Sequence, residues 1–391
     1  MMHKAKVVVA GAGPAGLVTA ILLAQARLDV MCVGHPARQD PRTVAIMDPA
    51  LKLLSSIGVW PGDVQVHSSP LKRLHIIDDT GNMVSAPTLQ FSADELQLEY
   101  FGWNVPLDIL LPALRAVAQS VGVRLLETRT TAAVANSTCI IVQLESGESV
   151  TALVAVAADG AQSVLRQSAG IGVENWTFNQ DALVTQFAHS APHQNVSTEW
   201  HKRGGPFTTV PLPGNRSSLV WMDRPEKIDG LMALSPEALG KAIQLQNHGS
   251  LGLVTEVAEP RRFAMRGIKA MRFAGARTLL VGEAGHVFPP IGAQGLNMSL
   301  RDAAYAAELI SEAVDPGSSN VLDAYDRLRR SDVGPRALAI NVMNRSLLSD
   351  FMSPHVLRSA GLAAVAAFAP LRELVMQQGL APSGQLPFAM R

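Results

Sequence analysis

The chain has 391 residues, with 33 Lys plus Arg against 33 Asp plus Glu and no net charge. That balance excludes a protein whose main task is nucleic-acid binding, which calls for a basic surplus. Charged residues make up 17%, apolar residues 48% and aromatics 5%, so disorder is excluded and a large, mostly aliphatic core is expected.

Twenty residues without a charge, Val7 to Ala26, follow Lys4 and Lys6 near the N-terminus. Hydropathy alone would permit a signal peptide or a membrane helix there. The centre of the run is Gly11-Ala12-Gly13-Pro14-Ala15-Gly16, and so many breakers suit a tight turn instead. Val7 to Ala10 is predicted as a buried parallel strand, Ala15 to Ala26 as a helix and Val30 to Val33 as a second strand.

Residues 44 to 58 are predicted helical, with Ile46, Leu51, Leu54 and Ile57 on one face. From about 70 to 100 apolar residues alternate (Leu74, Ile76, Met83), as in strands, and a helix carrying Leu110, Leu114 and Val117 follows. Ile140 to Leu144 and Val150 to Ala157 suggest a hairpin leading into a central strand. Residues 182 to 222 are strand-rich, with a turn at Pro213-Gly214-Asn215. Thr278 to Val281 is a further buried strand, and from 296 the chain is mainly helical. Cys32 and Cys139 lie in apolar, strand-like stretches without a CxxC or Cys/His neighbour. No disulfide framework and no metal site is expected, and the usage suits a reducing, cytoplasmic compartment.

Gly11-x-Gly13-x-x-Gly16 after a strand and before a helix has a mechanical meaning. The glycines permit the turn, the approach of a pyrophosphate and close helix–strand packing, while the helix N-terminus offers free amides. Ala15 sits inside this turn. The acid that usually ends the second strand is missing: Gly34 and His35 stand there, with Arg38 and Arg42 beyond. Two readings stay open at this motif, an FAD site held by backbone and Arg groups or an NADP site whose 2′-phosphate meets the basic residues.

Two later motifs extend the pattern. Ala157-Ala158-Asp159-Gly160 ends an apolar strand in a carboxylate and a glycine. Leu279 to Gly282 is a strand followed by Glu283, then Pro289-Pro290-Ile291-Gly292-Ala293-Gln294-Gly295-Leu296-Asn297 leading into a helix with Arg301 and Asp302. Glu283 can bind a polyol, and the helix start can place a positive dipole end near an anion such as a reduced flavin.

In this order and spacing the three motifs resemble the group A flavoprotein monooxygenases, and within them the ubiquinone-biosynthesis hydroxylase family. Arg42 to Ile46, Phe101 to Pro106, Pro211 to Arg216, Ser218 to Trp221 and Pro289 to Asn297 carry the resemblance, which covers Lys6 to Leu386. It implies an α/β fold with a Rossmann-like FAD/NAD(P)-binding domain of the glutathione-reductase type, an inserted β-sheet substrate domain and C-terminal helices. The expected division is 1–70, 101–175 and 271–350 for the FAD-binding domain, 71–100 and 176–270 for the substrate domain, and 351–391 for a helical tail.

The resemblance also implies site residues. Gly11, Gly13, Ala15 and Gly16 would cradle the FAD pyrophosphate, with Arg42 in contact. Asp159 and Gly160 would serve FAD and the passing reductant, and Gly282 and Glu283 the ribityl and pyrophosphate region. Pro289, Gly292, Gln294, Gly295, Leu296 and Asn297 would lie along the isoalloxazine ring. Phe207, Val210, Pro211 and Leu212 would line the substrate side. Pro289, Gly292 and His286 are the candidate catalytic positions; His286 has two readings, proton transfer or fixing the turn. His201, in the substrate segment, is expected to be an ordinary surface histidine. Most members carry Asp where Glu283 stands, and the carboxylate keeps its role on a longer arm; most also carry an acid where Gly34 stands, so looser FAD binding is expected.

The implied activity is hydroxylation of an aromatic ring through a flavin C4a-hydroperoxide, with O₂ and NAD(P)H or a ferredoxin system as electron source. The implied substrate is a polyprenyl phenol of ubiquinone biosynthesis. A small soluble aromatic substrate, or a scaffold without catalysis in a quinone-biosynthesis complex, stays open. From Arg327 to Arg391 the chain carries a net charge of +5, and Ala360 to Pro370 has no charge. Such a tail suits the inner-membrane surface, a homodimer mate or the chain's own core.

Overall fold

The computed structural model describes residues 2–36, 40–81, 87–290, 294–348 and 386–391, and of 339–348 the backbone alone. Val7–Ala10, Val30–Val33 and Val154–Ala157 are buried at every position. Such unbroken apolar runs belong to a parallel sheet covered on both faces. They form a six-stranded sheet in the order Ala274–Gly275, Thr278–Leu280, Val154–Ala157, Val7–Ala10, Val30–Val33, Arg124–Leu126. All neighbours are parallel except the first pair. The helix Pro14–Gln25 starts on a proline, where no amide donor is needed, and packs between the helices Leu107–Ser120 and Gln294–Glu312.

The region expected as one helix over 44–58 is two elements. Thr43–Met47 is a strand paired with Gly102–Pro106, and Asp48–Ser56 is a helix. Thr43, Val44 and Ile46 are β-branched and suit the strand, and Pro49 fixes the helix start behind Asp48. The expected strand 150–157 also divides. Ser149–Ala152 pairs with Ile140–Leu144 in a small four-stranded sheet, and after Leu153 the chain enters the central sheet at Val154.

A nine-stranded sheet forms the second layer. Val173–His189, Arg216–Asp223, Gly205–Leu212 and Val196–Lys202 follow one another antiparallel, and Arg73–Asp78 adds parallel to the last, with Leu89–Ser92 beyond it. Met83 lies outside the described residues. Cross-strand registry gives this sheet two distinct faces. The row Leu183, Trp221, Phe207, Trp200 is buried beneath the helices Pro225–Met232 and Pro236–Gln246, against Ile228, Leu239 and Ile243. The opposite face carries Ala182, Val184, Val220, Met222 and Phe263. The nominal FAD and substrate parts are thus joined by strands, since His286–Val287 pairs with Arg261–Ala270 of the large sheet.

Candidate active site

The three motifs meet at one edge. Ala10, Ala157 and Leu280 are register neighbours, so the three motif-bearing strands end side by side. In an open α/β sheet the ligand binds beyond the carboxyl ends of the strands. Gly11 has φ +112°, and a Cβ there would lie 2.0 Å from the carbonyl oxygen of Ala158, so this approach admits only glycine. Gly16 closes on Gly11 in the same way, whereas a Cβ on Gly13 would point into open space at the helix start. Gly282, at φ +64°, brings the third motif to Ala15, within 3.4 Å of where its Cβ would be.

Asp159 has a divided task. Its Oδ2 accepts from the amides of Val164 and Leu165 at 2.8 and 3.2 Å, which caps the helix Val164–Ser168. Its Oδ1 is buried and has no partner. Gly160 follows at φ +83°. Arg42 donates from Nη2 to Asp40 at 2.6 Å and lies 5.1 Å above the Phe263 ring. The hydrogen bonds to Asp40 hold this guanidinium charged against burial, with the Glu283 carboxylate adding to the same field. Arg42 and Glu283 therefore lie within each other's field.

The last motif is fixed from behind by a charged network that the sequence reading did not foresee. Asp302, fully buried on the helix Gln294–Glu312, accepts from the Gly282 amide at 2.8 Å and pairs with His286 Nε2 at 2.7 Å. Its other oxygen accepts from Arg329 Nε at 2.6 Å. Arg329 lies on the helix Ser319–Leu348 and also donates to Asp332, which binds Arg301 and Arg336. Arg336 Nη1 in turn donates to Gln294 Oε1 at 2.7 Å. Burial pushes the Asp302 carboxyl up, but Arg329 and His286 outweigh it and hold it below the usual carboxylate range. Asp332 is held lower in the same way by Arg329, Arg301 and Arg336. The signal in the sequence was charge on an apolar face: Asp302 sits between Leu300 and Ala303, both fully buried.

Several expected roles change with this geometry. His286 is 1% exposed at its side chain, its Nε2 is taken by Asp302 and its ring stacks on Phe288 at 5.6 Å. The side chains of Gln294 and Asn297 are engaged within the chain. Asn297 accepts from the Met47 amide and donates to the Ala45 carbonyl, clamping Thr43–Met47 to the helix start. Pro289 is buried, Gly295 is exposed and Leu296 is half-buried beside it, whereas Gly292 lies outside the described residues. On the substrate sheet, Phe207 is turned away among the covering helices, and Pro211 shares that face through its partner Ser217. Pairing period, not proximity in sequence, decides this. Val210 lies on the other face beside Ser218, and Leu212 ends the same row at Arg216. Ser218 Oγ accepts from Thr43 at 2.9 Å and Asn104 donates to the Pro211 carbonyl at 2.8 Å, so this face looks toward the strand that Asn297 holds.

The residues present fit FAD. Gly13 leaves open space where a side chain would stand, Asp159 keeps one carboxylate oxygen without a partner among the described residues, and exposed Glu283 lies in the field of Arg42. The absent ribose acid has a steric counterpart. A Cβ on Gly34 would lie 2.6 Å from the Ala12 amide nitrogen and 2.9 Å from the Ala12 Cβ. Gly34→Glu is therefore expected to weaken FAD binding, with roughly 1–3 kcal/mol of overpacking strain displacing the turn. Fluorimetric FAD titration checks this, and a tighter complex in the variant would overturn it.

Comparison with known proteins agrees with this geometry. The profile of the FAD-binding domain family matches residues 4–339. The ubiquinone hydroxylase UbiL of Rhodospirillum rubrum is 31% identical over 390 residues, covering 96% of this chain and 89% of that protein. The 3-demethoxyubiquinol 3-hydroxylase of Escherichia coli is 28% identical over 348 residues, covering 84% and 86%. Among solved structures, p-nitrophenol 4-monooxygenase of Pseudomonas putida superposes with a TM-score of 0.78 at 18% identity, covering 98% of this chain and 100% of that one. FAD-bound HpxO of Klebsiella pneumoniae gives 0.76 at 19%, covering 97% and 99%. These two show the fold. The chain belongs to the FAD-binding-domain family of group A flavoprotein monooxygenases and, within it, to the ubiquinone-biosynthesis hydroxylases.

Proposed function

We propose that this enzyme uses FAD, O₂ and NAD(P)H to hydroxylate the aromatic ring of a polyprenyl phenol intermediate of ubiquinone biosynthesis. One observation carries the reading: three motif-bearing strands end in register, and the large sheet turns the face of Val184 and Val220 toward the strand that Asn297 of the third motif holds. Bound FAD supplies oxygen activation. The chain's own residues do the rest. Gly11, Gly13 and Gly16 would bring backbone amides to the FAD pyrophosphate, and Glu283 would meet its polyol. Asp302 holds the Gly282 amide and His286, which keeps the turn between them in one shape. The start of the helix Gln294–Glu312 would turn its positive end toward a bound flavin ring. Val184, Val220 and Met222 exclude water and accept a greasy ring.

The purified protein is expected to show the two-band visible spectrum of an oxidised flavin, and on addition of NAD(P)H and a short-chain prenylated phenol to release one hydroxylated product, identified by mass spectrometry. A protein that stays colourless after incubation with FAD would falsify the reading. Hydroxylation of small unprenylated phenols in preference would point to a soluble aromatic substrate instead.

Among the described residues no helix is long and apolar enough to cross a membrane. The basic, apolar stretch around Ala360 to Pro370 lies outside the described residues. We infer that this tail meets an anionic membrane surface, where the cytoplasmic enzyme would collect its substrate; the chain's own core, a homodimer mate or another quinone-biosynthesis protein is the competing partner.

A further inference from the structure

His201, expected as an ordinary surface histidine, is buried. His201 is 2% exposed and Glu199 is 8% exposed. They lie two apart on the strand Val196–Lys202, and His201 Nε2 is 2.8 Å from Glu199 Oε1. The other ring nitrogen, Nδ1, is buried and has no hydrogen-bond partner among the described residues.

Registry places both on the face that looks toward the flavin motifs. Glu199 is opposite Thr208, which is opposite Val220 and then Val184. His201 is opposite Pro206, and Trp200 between them turns to the helices. On the other side Glu199 adjoins Ile76, and His201 adjoins Asp78, whose Oδ1 accepts from Thr80. Asp78 is the titratable side chain that its neighbouring strand sets beside the pair. The rest of the face carries Val184, Val220, Met222, Ala182 and Phe263, with the hydroxyls of Ser197, Thr208 and Ser218 among them and Arg261 opposite Val184 at its far edge.

A carboxylate and an imidazole buried together are costly to keep, and such arrangements concentrate at functional sites. The carboxylate acceptor sets the tautomer: Nε2 carries the proton and donates it to Glu199, which leaves the Nδ1 lone pair as an acceptor. A buried acceptor without a partner is satisfied when a ligand hydroxyl donates to it.

We propose that Glu199 and His201 form a proton-accepting dyad for the substrate's phenolic hydroxyl. The O–H bond breaks, its proton passes to His201 Nδ1, and the electron pair stays on the phenolate oxygen. The imidazolium so formed keeps its Nε2–H on Glu199. No oxidant or reductant enters this step. The phenolate is the electron-rich ring that hydroxylation requires, so the assignment rests on the hydroxylase reading and deepens it. His201 is the catalytic residue, in contact with substrate, and Glu199 is a positioning residue acting through it.

The test uses the FAD-loaded full chain and 4-nitrophenol, whose phenolate is coloured, in a buffer acidic enough to keep the free phenol mostly protonated. Titrating it into the wild-type protein is expected to raise the phenolate band. His201→Gln is expected to abolish that band, and Glu199→Gln to weaken it, with the flavin spectrum kept. With the prenylated phenol as substrate, His201→Gln is expected to lose roughly 10²-fold in kcat near neutral pH. The loss should shrink as pH rises and the substrate ionises unaided, which a purely structural residue would not show. A wild-type protein without the band, or His201→Gln with an undiminished one, overturns the dyad even if hydroxylated product forms. If His201→Gln does not fold, Glu199→Gln decides in the same assay. Absence of product from the wild type, with the band present, counts against the hydroxylase reading and leaves the dyad standing.

Discussion

Asp302→Asn is expected to be among the most damaging single substitutions in the protein. The carboxylate is fully buried, and its partners are the Gly282 amide, His286 and Arg329, the last also fully buried. Removing its charge leaves the guanidinium facing Asp332 alone, with Nη2 already unpartnered. Breaking one half of a buried pair typically costs about 3–5 kcal/mol. The damage is not only to stability, because both ends of the Gly282–His286 turn hang on this side chain. Glu283, which sits inside that turn, should lose its fixed position, and FAD should be retained poorly. Calorimetry and the flavin-to-protein absorbance ratio measure the two effects. An unchanged melting temperature would remove the network from the account of the fold.

The same network sets an acid limit. Asp302 and Asp332 are both held below the ordinary carboxylate range in the folded chain. A depressed folded pKa means the stabilisation is complete above the unfolded value, about 3.9 for Asp, and is lost as pH falls below it toward the folded value. The wild-type protein should therefore lose stability steeply in that acid window. Asp302→Asn, which has one such carboxylate fewer, should show a shallower dependence there from a lower starting point.

The difference between what was legible in the sequence and what was not follows the range of the forces involved. The parallel strands and their glycine turns were legible because every residue of Val7–Ala10 and Val154–Ala157 is buried and Gly11 is tied to one backbone shape. The division at Met47–Asp48 was missed because Ile46, Leu51 and Leu54 fit a helical period, while the strand partner, Gly102–Pro106, lies more than fifty residues away. Which face a strand residue takes also depends on its registry. Hence Phe207 and Pro211 were placed on the substrate side with Val210 and Leu212, although the period of two turns them apart. His201 and Glu199 had no local motif. Their meeting is a matter of alternation within one strand, and their burial is a matter of four other strands.

Gly11→Ala and Gly13→Ala separate the two ways a glycine serves this turn. At Gly11 the φ of +112° and the Ala158 carbonyl oxygen, 2.0 Å from a Cβ, are both fixed by the protein itself. Alanine there must push apart the first and second motif strands, which are hydrogen-bonded through the Ala158 amide and the Ala10 carbonyl at 2.7 Å. A strained backbone costs about 1–3 kcal/mol and overpacking about as much again, so the variant should melt lower and fail to bind FAD. Gly13 precedes the first turn of the helix with φ −80°, which any residue adopts, and a Cβ there meets no protein atom within 4 Å. Its alanine variant should therefore match the wild type in melting temperature without FAD and lose the extra stability that FAD confers, because the methyl group occupies the path of the pyrophosphate. Melting curves with and without FAD resolve the pair. If Gly13→Ala is stabilised by FAD as fully as the wild type, the pyrophosphate does not lie over this turn, and the cradle must be sought elsewhere along the strand ends.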